Sequence, residues 1–126
     1  MPYNILIVDD SRVMRQMIAR TLSISGIEVG VVREAANGVE ALEVLRANDI
    51  DLVLLDINMP VMDGEEFLAI VRTDAELKSI AVVVASSESN EGRIRRLRLM
   101  GAEFVHKPFR PEDLTAAVGR AAMASG

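Results

Sequence analysis

Residues 51–60 read DLVLLDINMP. Leu52, Val53, Leu54 and Leu55 follow one another without a polar interruption, and the run then stops on Asp56. Consecutive rather than alternating apolar residues mark a strand buried on both faces, as in a parallel sheet covered by helices. The run 51–56 is the most apolar such segment in the chain and is placed at the centre of the sheet. The carboxylate at its end leaves three readings open: a helix cap, a buried structural acid or a reactive group.

The same pattern of a short apolar run followed by a longer amphipathic one recurs five times. NILIVD (4–9) is a buried strand, and the segment from Ser11 carries Val13, Met14, Met17, Ile18 and Leu22 as a helical stripe that Gly26 ends. VGVVREA (29–35) is a second, weaker strand. Asn37 and Glu40 form a capping-box pattern ahead of Val39, Leu42 and Leu45. Asp63 with Glu66 starts a helix that runs to about Arg72. IAVVVAS (80–86) is the fourth strand, and Asn90 to Met100 is helical and closes at Gly101. EFVHK (103–107) is the fifth strand, and Pro111 suits a first helical position ahead of Leu114, Ala117, Val118 and Ala121. Strands alternating with helices imply an α/β fold, a doubly wound parallel sheet with helices on both faces.

Composition narrows the function classes. A chain of 126 residues makes one domain with a substantial core. Three Phe and one Tyr are its only aromatics, so that core is aliphatic. The absence of cysteine excludes a disulfide framework and thiolate metal sites, and fits the cytoplasm. No apolar stretch approaches the ~20 residues of a membrane span. A net charge of -5 argues against nucleic acid as a direct partner.

In an open α/β sheet, working groups gather outside the carboxyl ends of the strands. Strand one ends in Asp9 and Asp10, strand three in Asp56, strand four in Ser86 and Ser87, strand five in Lys107 and Pro108. Strand two ends in Glu34 and Ala35 and contributes nothing evident. Three acids at one edge repel one another, and a hard divalent cation relieves the repulsion. Mg²⁺ suits them, with Asp10 and Asp56 as ligands and the Asn58 backbone carbonyl in reach. An Asp carboxylate can also act as a nucleophile that carries a phosphoryl group. A cation such as Lys107 and a hydroxyl such as Ser86 then complete the set.

These residues resemble the receiver domain of two-component response regulators, the CheY-like type. LIVDDSRVMR, AANGVEAL, LVLLDINMPVMDGEEFL and HKPF carry the resemblance across roughly residues 4–123. It implies a flavodoxin-like (βα)5 fold with strand order 2-1-3-4-5. It implies Asp56 as phosphoacceptor, an acidic Mg²⁺ pocket of Asp9, Asp10 and Asp56 with the Asn58 carbonyl, and phosphate contacts from Ser86 and Lys107. Lys107-Pro108 is similar to the family's cis-peptide site. Phe104 falls at the aromatic switch position if the one-residue-shorter segment from Gly101 to Lys107 is shortened just after Ala102. The implied partners are a histidine kinase as donor and a downstream protein that reads the fourth helix, fifth strand and fifth helix. On this reading residues 1–126 are one receiver domain without an effector domain. It is a phosphoacceptor with slow self-hydrolysis rather than an enzyme. The alternative is that it is a fragment of a larger regulator.

Two other classes fit less well. A haloacid-dehalogenase-type phosphatase needs an acid two residues beyond the nucleophile, where this chain has Asn58, and a cap domain for which there is no length. A flavodoxin-like cofactor binder needs a phosphate loop after strand one, where DDSRVM places carboxylates. His106, the single histidine, is assigned a rim or packing role. The methionines are assigned to core or loop filling. Arg93, Arg95, Arg96 and Arg98 on the fourth helix read as a solvated face, or as a partner surface.

Overall fold

A computed structural model describes residues 2–125. The chain runs β1 (Tyr3–Val8), α1 (Arg12–Ile24), β2 (Val29–Ala35), α2 (Gly38–Ala47), β3 (Leu52–Leu55), α3 (Gly64–Thr73), β4 (Ala81–Ser86), α4 (Glu91–Leu99), β5 (Glu103–His106) and α5 (Pro111–Ser125). All five strands are parallel, in the order β2-β1-β3-β4-β5. This is the expected doubly wound sheet. β1, β3 and β4 pair without a register break, Ile5 to Val8 lying against Leu52 to Leu55 and these against Ala81 to Val84.

Strand alternation splits the core into two layers. Leu6, Val8, Val53, Leu55, Val82 and Val84 face one side, packed with Leu42, Leu45, Phe67, Leu68, Val71 and Leu97 from α2, α3 and α4. Ile5, Ile7, Leu52, Leu54, Val83 and Ala85 face the other, with Ile18 and Leu22 of α1 and Leu114, Ala117, Val118 and Ala121 of α5. Burial on both faces is why the three central strands lack polar alternation.

Helix starts follow the caps read in the sequence. Asn37 Oδ1 accepts from the Glu40 N–H at 2.9 Å and Asp63 Oδ1 from the Glu66 N–H at 2.9 Å. The return bond of Glu40 reaches the Ala36 N–H at 3.2 Å, one residue before the cap itself. α1 departs from its expected stripe. Ile18 and Leu22 are buried, but Val13 and Met17 are 66% and 57% exposed, because α1 packs through the Ile18–Leu22 face with Met14 at its flank. Met17 and Met123 are therefore surface residues rather than filler. Gly26, at φ 87, turns the chain after α1. Among the described residues no helix is long and apolar enough to cross a membrane.

Candidate functional site

Four strands stop at or just before a reactive group. Asp9 and Asp10 follow β1, Asp56 follows β3, Ser86 closes β4 and Lys107 follows β5. The Asp56 N–H donates to the Val8 carbonyl at 2.9 Å, which ties the two acid-bearing strand ends together. The Lys107 N–H donates to the Ser86 carbonyl at 3.0 Å, which does the same for β4 and β5.

The carboxylates converge. Asp9, Asp10 and Asp56 each place an oxygen within 4.8 Å of the others. Asp9 is 2% exposed and has both oxygens engaged. Oδ1 accepts from the Ser11 N–H at 2.9 Å, and Oδ2 accepts from Lys107 Nζ at 2.9 Å. Lys107 Nζ also lies 3.8 Å from Asp56 Oδ1. Asp10 is exposed. Burial raises the Asp56 carboxyl above the ordinary value of 3.8; Lys107 pulls it down, Asp9 pushes it up, and the Ile57 and Asn58 backbone N–H groups pull it down. Asp56 thus carries a charge that its surroundings support only in part.

The donor set suits a hard divalent cation. Six-coordinate Mg²⁺ at ~2.1 Å holds neighbouring ligand oxygens about 3–4 Å apart, so three carboxylates this close need little rearrangement to share one ion. Asp10, unpaired with Lys107 and open to solvent, is the most available of them.

Ser86 is buried at the same strand edge, and its Oγ accepts from the Glu88 N–H at 3.1 Å, within its own loop. The Lys107–Pro108 peptide is cis. β5 pairs with β4 in continuous register from Val83–Glu103 to Ser86–His106, and Gly101, at φ 83, turns the chain toward it. Phe104 is buried, and the His106 ring stands edge-on to it at 4.8 Å between centroids. His106 itself is exposed at the rim.

Two contributors, Glu34 and Arg93, had no site role in the sequence reading, and a third, Gly64, entered it only within the LVLLDINMPVMDGEEFL resemblance. The end of β2 does participate, contrary to expectation. Glu34 Oε1 holds Arg15 Nε at 2.7 Å, and Arg15 Nη1 donates to the Asp9 carbonyl at 2.6 Å, so a β2 acid braces the β1 tip through α1. Gly64 lets α3 begin directly against the Asp56 backbone. A Cβ there would strike the Asp56 carbonyl oxygen and come within 2.7 Å of the Ile57 Cα. Arg93 of α4 leaves its expected solvated face and turns back toward Asn58.

The family model for the response regulator receiver domain matches residues 5–119. The chain is 42% identical over 122 residues to the two-component response regulator ORR3 of Oryza sativa subsp. indica, which covers 95% of this chain and 91% of that protein. It is 35% identical over 117 residues to the protein-glutamate methylesterase/protein-glutamine glutaminase of group 2 operon of Rhodospirillum centenum. That match takes in 92% of this chain and only 29% of the longer protein. Among solved structures, the Vibrio cholerae chemotaxis protein CheY4 is similar with a TM-score of 0.83 at 34% identity, covering 96% of this chain and 99% of that one.

Proposed function

Because the chain belongs to the response regulator receiver family, we propose that Asp56 accepts a phosphoryl group from a histidine kinase and that the chain signals by phosphorylation-dependent protein contacts. The observation that carries this is the meeting of three carboxylates with one ammonium, Lys107 Nζ standing 2.9 Å from Asp9 and 3.8 Å from Asp56 at the carboxyl edge of the sheet. In the transfer, an Asp56 carboxylate oxygen attacks the phosphorus of phosphohistidine. The P–N bond breaks and the imidazole nitrogen leaves with its electron pair and takes up a proton.

Asp9, Asp10 and Asp56, with the Asn58 backbone carbonyl, would hold Mg²⁺, which when bound neutralises the charge of the transferring group. Lys107 supplies a second positive charge that is already in place before transfer. It need only turn from Asp9 to meet a phosphoryl oxygen, which keeps the cost of reorganisation low. The Ser86 hydroxyl turns from the Glu88 N–H to a phosphoryl oxygen, and the β4–α4 loop follows it. Phe104, buried on the strand beside Ser86, is the residue whose packing senses that movement. The population of states then shifts toward one that a downstream protein binds. The acyl phosphate hydrolyses slowly, so the receiver resets itself rather than turning over substrate.

The downstream surface is formed by α4, β5 and α5. Ile94, Arg95, Arg98, Leu99 and His106 line a groove of about 660 Å³ there. Reversing the charge at Arg95 and Arg98 lowers the affinity of the phosphorylated form for its target on this reading, and an unchanged affinity removes the surface assignment. The setting proposed is the cytoplasm, where histidine kinases present their phosphohistidine.

Incubation with acetyl phosphate and Mg²⁺ followed by intact-mass measurement tests the phosphoacceptor. The wild type gains the mass of one phosphoryl group and Asp56→Ala does not. A gain in both, or in neither, defeats the assignment.

A further inference from the structure

The four arginines of α4 form one run in the sequence, yet the structure divides them. Arg95 and Arg98 line the exposed groove, whereas the Arg93 side chain is only 23% exposed. It leaves the first turn of α4, where the Arg93 N–H is capped by Asn90 at 3.0 Å, and reaches back across two loops. Nη1 donates to Asn58 Oδ1 at 3.3 Å and lies 3.6 Å from Glu88 Oε2. Nε lies 3.7 Å from Glu65 Oε1, which also takes Arg96 Nη2 at 3.4 Å.

Asn58 and Glu88 are each bound to a member of the reactive set. The Asn58 backbone N–H donates to the Asp56 carboxylate, and the Glu88 N–H donates to Ser86 Oγ. One guanidinium therefore fixes the loop after Asp56 and the loop after Ser86 against each other. It also balances charge. Asp9, Asp10 and Asp56 cluster at this end of the sheet; Lys107 pairs with Asp9, Arg15 donates to the Asp9 carbonyl, and Arg93 pairs with Glu88 in the neighbouring loop.

We propose that Arg93 is a positioning residue for phosphoryl loading of Asp56: by clasping Asn58 and Glu88 it holds the mouth of the acid pocket together and offsets the Glu88 charge that an anionic phosphodonor must pass. The inference rests on Asp56 being the phosphoacceptor. It also makes α4 an input to the site as well as an output. A group that draws Arg93 away changes loading at Asp56, and loading at Asp56 in turn changes how available Arg93 is to that group.

The test uses acetyl phosphate as donor. The Asp56 O–P bond forms as the P–O bond to acetate breaks, and acetate leaves with the electron pair. Loading rates are read by intact mass at low and high ionic strength for the wild type, Arg93→Ala, Arg93→Lys, Glu88→Gln and the double variant Arg93→Ala/Glu88→Gln. Loss of one positive charge within about 10 Å of the path slows Arg93→Ala about three- to tenfold at low salt, and salt narrows the gap. Arg93→Lys retains most of the rate, Glu88→Gln loads faster than wild type, and the double variant returns toward wild type. Without donor, the Asn58 amide resonance shifts in Arg93→Ala and not in Arg95→Ala.

A wild-type rate in Arg93→Ala overturns the proposal. So does a slow Arg93→Ala that neither salt nor Glu88→Gln rescues, since that describes a merely structural residue. Should Arg93→Ala fail to fold, an unchanged rate in Glu88→Gln overturns it instead. A wild type that never loads defeats the phosphoacceptor reading itself, and this inference with it.

Discussion

Replacing Lys107 by methionine probes the electrostatic core of the site while keeping the aliphatic stem. The side chain is 17% exposed and its main partner, Asp9, 2%. At an effective dielectric of about 20, attractions across 2.9 Å and 3.8 Å are worth about 6 and about 4 kcal/mol before desolvation. Burying the ammonium cancels much of that. Removing one partner of a buried pair costs about 3–5 kcal/mol net, because the other charge is left uncompensated. For a domain of this size the melting temperature should fall by about 10–20 °C. Denaturant titration by circular dichroism at neutral pH gives the free energy directly. The double variant Asp9→Asn/Lys107→Met should recover most of the loss, since the neutral amide oxygen still accepts from the Ser11 N–H that Asp9 holds. Burial already holds the Asp56 carboxyl above 3.8 against the pull of Lys107, and removing that pull pushes it higher. The Lys107→Met deficit therefore shrinks as the pH is lowered and Asp56 takes up its proton. A Lys107→Met protein within about 1 kcal/mol of wild type, or an Asp9→Asn substitution that adds an independent loss on top, would refute this account.

Asp56→Asn should stabilise the protein at neutral pH, because burial disfavours the charged carboxylate that the amide replaces. The folded state holds this proton more tightly than the unfolded chain, so wild-type stability falls as pH rises through the window above 3.8. The advantage of the variant opens across that window and closes below it, and a pH-independent difference in unfolding free energy would contradict this. Gly64→Ala should cost about 3 kcal/mol, at the upper end of overpacking penalties, because the added methyl meets the Asp56 and Ile57 backbone rather than a movable side chain. Equal urea midpoints for Gly64→Ala and wild type would show that α3 can retreat from Asp56. Mg²⁺ should raise the melting temperature with a dependence that saturates, worth about 2.7 kcal/mol at a hundredfold excess over its dissociation constant. A chelator should reverse the rise, and Asp10→Asn should remove most of it.

What was legible in the sequence follows from what is local to it. Runs such as Leu52–Leu55 announce a strand buried on both faces because neither face can accept a polar residue, and parallel topology then puts every run's last residue at one edge. The convergence of Asp9, Asp10, Asp56 and Lys107 was therefore readable from strand ends alone. Val61 was not, since nothing nearby announces that a β-branched residue holds φ 70 in the loop after Asp56. Nor was the brace from Glu34 through Arg15, which depends on how α1 rolls against the sheet. That roll also exposes Val13 and Met17.

The α4 arginines show why such contacts escape a periodicity argument. Arg93 and Arg95 stand about 200° apart around the helix, so one can face the site only if the other faces away. Which of them does is decided by the azimuth of α4. That azimuth is set by Leu97, the single fully buried residue of the helix, packed into the layer with Phe67 and Phe104. Moving the helix by one residue of register would carry Arg93 away from Asn58 and leave Glu88 unopposed, with no change in composition or charge. A cationic run thus takes two unlike placements, and the seating of Leu97 decides which arginine takes which.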